Sequence, residues 1–338
     1  MADICVVYLV WAPLGAAPVR RFAASYLRHA GGIPHRLVVA LKGFGGAGPG
    51  AEYDEALAGV AHERMEFPSG VLDIGTYFEA ARRLECGHLC FLNTNSVLLD
   101  SGWLAKLHAQ ARGEGVGAAG ATGSWNSHLS AVLYYQHRPS AYSNLLRDLN
   151  PPIESTPFAL TERLAESIDA APLPARLALK LYYYGLAAAY YKSLDEWRLF
   201  MERRKYARDY APFPAYHLRT NAFMIGRETM LGLRTWDIRE KEDAYRFEGG
   251  RESMTSQLLR AGLKVLVVGR DGRGYEKEEW ARSETFWQGA QRNLLVADNQ
   301  TRDYEEGDAR RRKFLSRLAW GEQAAPALPP EGARAAVK

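Results

Sequence analysis

The chain has 338 residues, 47% hydrophobic and 24% charged, enough to bury a substantial core as one large α/β domain or two closely joined ones. Its formal net charge is +4, with acids and bases interspersed along the chain, which argues against a nucleic-acid binder. Cys5, Cys86 and Cys90 lie in or beside apolar segments without metal-site spacing, and no stretch reaches the ~18 apolar residues of a membrane span. A cytoplasmic protein in a reducing compartment is expected.

In chain order, the apolar run 4–10 predicts a buried parallel strand and 19–29 a helix, followed by a strand over 36–41. A glycine-rich loop at 43–50 leads to a short helix from about Tyr53 and a short strand near 65–67. A helix opening at Asp73 and Gly75 then feeds a buried strand over 88–92, and a further strand is expected over 115–119. Prolines 151, 152, 157, 172, 174, 212 and 214 punctuate a helical stretch from about 140 to 212. Strand-like sequence returns over 221–225. A helix from Glu252 to Arg260 stops at Gly262, and a last strand over 264–268 precedes a charged helix over about 308–318 and an Ala/Pro-rich tail expected to be disordered. The expected organisation is a first α/β half (1–128), a helical insertion (129–215), a second half (216–305), and a charged helix with its tail (306–338).

The most informative segment runs from 70 to 104. Strands alternating with helices imply a mostly parallel sheet, and ligands bind such sheets in the crevice beyond the carboxyl ends of the strands. The strand 88–92 ends in Asn93-Thr94-Asn95-Ser96, which puts polar groups in that crevice. The bland alternative for Asn93 and Asn95 is an Asx-turn closing the strand, and for Asp73 a helix N-cap. A dinucleotide fingerprint, a P-loop, a nucleophile elbow and an H-E-x-x-H helix are all missing from the sequence.

Asp73 and Gly75, the strand end at 93–95 and Gly102-Trp103-Leu104-Ala105-Lys106-Leu107 together resemble the donor half of GT-A fold glycosyltransferases, in particular the family 2-like bacterial polysaccharide enzymes. That family has an Asp-x-Asp signature where this chain has Asn93-Thr94-Asn95. The resemblance implies an α/β, GT-A-like, Rossmann-like sheet flanked by helices. It also implies transfer of a sugar from a nucleoside-diphosphate donor to a glycan or lipid-linked glycan acceptor, with inversion, in cell-surface polysaccharide synthesis. Asp73, Gly75, Asn93 and Asn95 would position the donor. The family's divalent cation, Mg²⁺ or Mn²⁺, has no assigned ligand, because neutral amides bind hard cations weakly. Arg251, Arg270 and Arg273 would then neutralise the diphosphate, the 270–277 loop acting as a lid over it or as a solvated basic turn.

The family's catalytic base precedes a helix ending R-x-x-G. Glu252, which with Arg260-Ala261-Gly262 falls within one or two positions of that spacing, is the first candidate and Glu248 the second, against a reading of Glu252 as a first-turn residue stabilised by the helix macrodipole. Trp125, His217 and Arg219 are the acceptor-side candidates, although a lone histidine is most often a satisfied core residue. Asp298-Asn299-Gln300-Thr301 is a polar cap on a buried segment that could complete the site. Tyr182, Tyr183, Tyr190 and Arg203-Arg204-Lys205 could place 174–207 peripherally on a membrane; an amphipathic core helix is the alternative. A non-catalytic glycan-binding or scaffolding module of the same fold is the rival to the enzyme.

Overall fold

The computed structural model describes residues 3–45, 48–68, 70, 72–129, 171–179 and 206–324. By internal contacts the chain forms two units, one built from 1–126 with 214–338 and the other from 127–213.

In the first unit the opening apolar run forms β1 (Ile4–Trp11), whose side chains are buried on both faces up to Val10. It is followed by α1 (Ala17–Arg28), β2 (Arg36–Lys42), α2 (Ala51–Ala56), β3 (Glu63–Phe67) and α3 (Asp73–Arg83). Next come β4 (His88–Leu92), β5 (Val97–Leu98), α4 (Trp103–Ala111), β6 (Val116–Gly120) and β7 (Gly123–Ser124). After the second unit the chain returns through β8 (His217–Leu218), β9 (Ala222–Gly226), α5 (Arg227–Gly232), α6 (Lys241–Gly249), α7 (Met254–Arg260), β10 (Lys264–Val268) and β11 (Gly274–Tyr275). It finishes with β12 (Val296–Ala297), α8 (Asn299–Glu306) and α9 (Ala309–Trp320).

The main sheet has eight strands in the order β11-β10-β6-β9-β4-β1-β2-β3. β1, β2, β3, β4, β6 and β10 share one direction, while β9 and β11 run against it. The expected mostly parallel sheet flanked by helices is therefore present. The strand expected over 221–225 is its internal antiparallel member, because the chain re-enters this unit at the carboxyl edge of β4 and β6. Helices cover both faces, which is why the central strands read as unbroken apolar runs. On one face Val6, Tyr8 and Val10 meet Val19, Phe22, Trp103 and Leu104, with Tyr8 stacked on Phe22 at a ring distance of 3.6 Å. On the other, Tyr77 lies 4.5 Å from Phe91, and Phe91 5.2 Å from Phe223.

Two small antiparallel ladders frame the carboxyl edge. β5 pairs with β12, and β7 with β8. α7 begins later than expected: Ser253 is its N-cap, accepting from the Ser256 N–H at 3.2 Å, so Glu252 lies ahead of the helix and outside its first turn.

In the second unit the described residues include a helical segment at 173–179 and a small cluster in which Tyr206 stacks on Tyr210 at 5.5 Å and His128 lies 4.8 Å from Tyr210. Tyr182, Tyr183, Tyr190, the 203–205 basic run and the expected disordered tail beyond 324 lie outside the described residues. Among the described residues no helix is long and apolar enough to cross a membrane.

Candidate functional site

The strand-end loop is built from within. The Asn93 side-chain oxygen accepts the Asn95 N–H at 3.0 Å and the Ser96 hydroxyl at 3.1 Å, an Asx-turn that leaves this amide oxygen little capacity for a ligand. The Asn93 N–H donates to the Asn221 carbonyl at 2.9 Å, continuing the β4–β9 ladder, and the Ser96 hydroxyl also reaches that carbonyl. From β1, the Tyr8 hydroxyl donates to the Thr94 carbonyl at 2.9 Å. From α8, Arg302 donates to the Asn95 carbonyl at 3.2 Å. Asn95 therefore has its backbone fixed while its half-buried side chain makes no hydrogen bond to the described residues.

Asp73 is the first residue of α3, not its N-cap, which is Leu72. Its carboxylate accepts from the Lys42 ammonium at 2.9 Å; Lys42 is 2% exposed, whereas the Asp73 side chain is half exposed. Lys42 closes β2, two strands from β4 and two residues further along, so its backbone stands roughly 12 Å from that of Asn93 at the usual strand spacing and rise. Gly75 lies in the first turn of the same helix.

Beneath the loop lies a buried polar network. Arg219 donates to the Asp298 carboxylate at 2.6 Å and to Thr122 at 3.3 Å, and its guanidinium lies 4.2 Å from the Phe286 ring. The Thr122 hydroxyl donates to the Asn221 side-chain oxygen at 2.8 Å. Asp298 also caps α8 through Thr301, its other oxygen accepting the Thr301 N–H at 2.9 Å. The Asn221 side-chain nitrogen is buried without a hydrogen-bond partner.

Of the two base candidates, Glu248 stands next to this network. Near the end of α6, it accepts from both the backbone N–H and the hydroxyl of Thr220, the neighbour of Asn221. Glu252 is elsewhere. It pairs with Arg260 at 2.7 Å, half exposed, on the flank of α7. Arg251 lies in the same exposed turn and its carbonyl accepts from Arg260 at 2.9 Å.

The 270–277 loop is a hairpin closed between β10 and β11. Arg270 donates to the Leu294 carbonyl at 2.7 Å, and Arg273 pairs with Glu279 while covering the Tyr275 ring. Gly269 at its base admits no side chain, because a Cβ there would meet the Asn293 amide at 2.2 Å. Both arginines are thus committed to holding the hairpin.

The residues expected on the acceptor side are also mainly internal. Trp125 is 4% exposed, in ring contact with Tyr216 and Trp320, and gives its indole N–H to the Lys277 carbonyl at 2.9 Å. His217 is buried and its Nδ1 donates to the Ala215 carbonyl at 2.8 Å. Burial lowers its pKa, with the Glu248 charge acting in the opposite direction.

Sequence reasoning passed over Lys42, Asn221 and Arg302. Lys42 could have been found by the logic that selected Asn93, as a charged residue ending a buried strand. Arg302 could not, because α8 reaches the loop only through tertiary structure. Burial, and next the charge of Arg21, push the Arg302 guanidinium below its ordinary pKa.

The donor set around the loop is a poor fit for a hard divalent cation. Asp73 is held by Lys42, Asp298 by Arg219 and its cap, and Glu248 by Thr220, and the Asn93 oxygen is spent on its own turn. Among the described residues these carboxylates form no cluster of metal-ligating groups at the loop.

No family model matches the chain, and comparison with curated proteins finds no match. Among solved structures, glucosyl-3-phosphoglycerate synthase from Mycobacterium tuberculosis with Mn²⁺, uridine diphosphate and phosphoglyceric acid is 13% identical, with a TM-score of 0.29, over 42% of this chain and 51% of that one. The same enzyme with Mn²⁺, UDP-glucose and phosphoglyceric acid is 16% identical, with a TM-score of 0.28, over 42% and 52%. The chain spans about half the length of these structures, and likeness at this level decides neither ligands nor activity.

Proposed function

We propose that the protein is a GT-A-like glycosyltransferase that moves a sugar from a nucleoside-diphosphate donor to a hydroxyl of a glycan or lipid-linked glycan, on the cytoplasmic side of cell-surface polysaccharide assembly. The observation that carries this reading is the preorganised polar loop 93–96, set at the carboxyl edge of a mostly parallel sheet between the Lys42–Asp73 pair and Glu248. In this reading Asp73 and Asn95 contact the nucleotide and sugar of the donor. Arg302, which already reaches the Asn95 carbonyl, stabilises the diphosphate as it leaves, the service otherwise supplied by a metal.

Glu248 takes the proton from the acceptor hydroxyl as its oxygen attacks the anomeric carbon, the bond to the diphosphate oxygen breaking on the opposite side with inversion. Glu252 and the 270–277 arginines serve the scaffold. The rival reading, a glycan-binding module, draws on the Asn93 amide that stands in the place of a carboxylate and closes its own turn. Calorimetry with a panel of nucleotide sugars separates the two. Micromolar donor binding with slow donor hydrolysis supports the enzyme, while binding of glycan without nucleotide supports the module.

A further inference from the structure

The amino edge of the same sheet, remote from the loop, brings three metal-ligating side chains together. Asp3 precedes β1, His88 opens β4, and His108 lies in the last turn of α4. β1 and β4 are adjacent and parallel, with Ile4 opposite His88, so the residue before Ile4 necessarily sits beside the start of β4. The Asp3 carbonyl accepts the N–H groups of Gly87 and His88 at 2.9 and 3.1 Å. One Asp3 carboxylate oxygen takes the Gly87 N–H at 3.0 Å, and the other lies 3.8 Å from His88 Nδ1. The His108 ring stands edge-on to His88, with centroids 4.9 Å apart and planes at 90°. One ligand atom from each of the three residues lies within 4.8 Å of the others.

The hydrogen bonding of this cluster is incomplete. His88 Nδ1 is removed from solvent and has no hydrogen-bond partner, and the His108 ring makes no hydrogen bond to the described residues. A buried imidazole nitrogen without a partner is costly and uncommon, and a bound ion is one of the few things that repay it.

We propose that Asp3, His88 and His108 form a binding site for a divalent transition-metal ion, with Zn²⁺ as the best-fitting occupant. Two imidazoles and one carboxylate suit zinc and its neighbours in softness, whereas Mg²⁺ and Ca²⁺ prefer oxygen throughout. Bonds of about 2.0–2.2 Å separate tetrahedral ligand atoms by roughly 3.3–3.5 Å. The Asp3–His88 spacing of 3.8 Å is already close to that, and the ligand atoms of all three residues lie within 4.8 Å of one another. With three ligands from the protein, water takes the fourth position. The ion would tie the segment before β1 to β4 and α4, about 16 Å along β4 from Asn93, so the site stands or falls independently of the proposed transferase activity.

The test uses untagged full-length protein stripped with chelator and dialysed, titrated with ZnCl₂ by calorimetry and with Co²⁺ by visible absorption. The expected result is one ion per chain, a higher melting temperature, and a Co²⁺ spectrum without thiolate charge transfer. His108→Gln and Asp3→Asn should each weaken binding by about 10- to 100-fold or more, a scale set by losses of supporting groups alone. Cys86→Ser should bind as wild type, because this partly exposed thiol, two residues before His88, is the competing soft ligand. Absence of micromolar Zn²⁺ binding, or unchanged binding in both ligand variants, overturns the proposal. So does a loss confined to Cys86→Ser.

Discussion

Arg219 and Asp298 meet at 2.6 Å with 7% and 1% of their side chains exposed, joining the segment before β9 to the cap of α8. A buried pair of this kind is stable only while both partners are present. Asp298→Ala is expected to destabilise the protein by about 3–5 kcal/mol, since it strands the guanidinium and removes a helix cap. A double change to Arg219→Met with Asp298→Ala should cost less than the sum of the two single changes. Urea unfolding of the four proteins measures this, and additive losses would show that the two groups act independently.

The base assignment separates two glutamates only four residues apart. Glu248→Gln should lower sugar transfer by about 100-fold or more while donor affinity stays near wild type. Glu252→Gln should remain within a few-fold, because its carboxylate is paired with Arg260 on the exposed flank. Steady-state kinetics on both variants decides the matter, and the reverse ranking would restore Glu252 to the role.

For the diphosphate, Arg302→Ala should weaken donor binding by about 10- to 100-fold, the scale of a lost charge-assisted hydrogen bond. Arg273→Ala should leave donor affinity within a few-fold. Equal losses in the two variants would return the hairpin to the site.

Donor affinity should also be unchanged to within a few-fold in EDTA, given the engaged carboxylates around the loop. Binding, rather than turnover, is the proper readout, because chelation would also empty the proposed site at Asp3. Loss of donor binding in EDTA, restored by Mn²⁺, would place a metal on the diphosphate.

The buried His217 imidazole gives a pH signature. Its folded pKa lies below the unfolded value of about 6.5, chiefly through burial, so as the pH falls the unfolded chain takes up a proton that the folded chain resists. Its contribution is full above that value and is lost as the pH drops toward the folded pKa. Melting temperatures between pH 7.5 and pH 5 should therefore fall more steeply for wild type than for His217→Asn, and parallel curves would remove His217 as the cause.

The legible parts of the molecule were those fixed by local pattern. Unbroken apolar runs disclosed β1, β2, β4 and β10, and the polar residues after Leu92 marked the carboxyl edge. The direction of β9 was not legible, because antiparallel and parallel strands buried on both faces carry the same apolar signal. Side-chain commitments were hidden as well. Nothing local distinguishes Arg270, tied to a carbonyl 24 residues away, from Arg302, which reaches the Asn95 carbonyl across 207 residues. Spacing to Gly262 favoured Glu252, but Ser253 took the cap and left that carboxylate outside the helix.

The contact between Arg302 and the Asn95 carbonyl spans 207 residues of sequence, and β12 reaches β5 across nearly as much. A ribosome has released most of the sheet before the residues that finish the crevice emerge. Until Asp298 arrives, Arg219 is a buried cation without its counter-ion. The nascent chain therefore passes through a stage in which the sheet can form but its carboxyl edge cannot, and chaperone engagement should concentrate there. Chains truncated before residue 298 should collapse, bind hydrophobic dyes and fail to hold a nucleotide, even with every strand of the main sheet present.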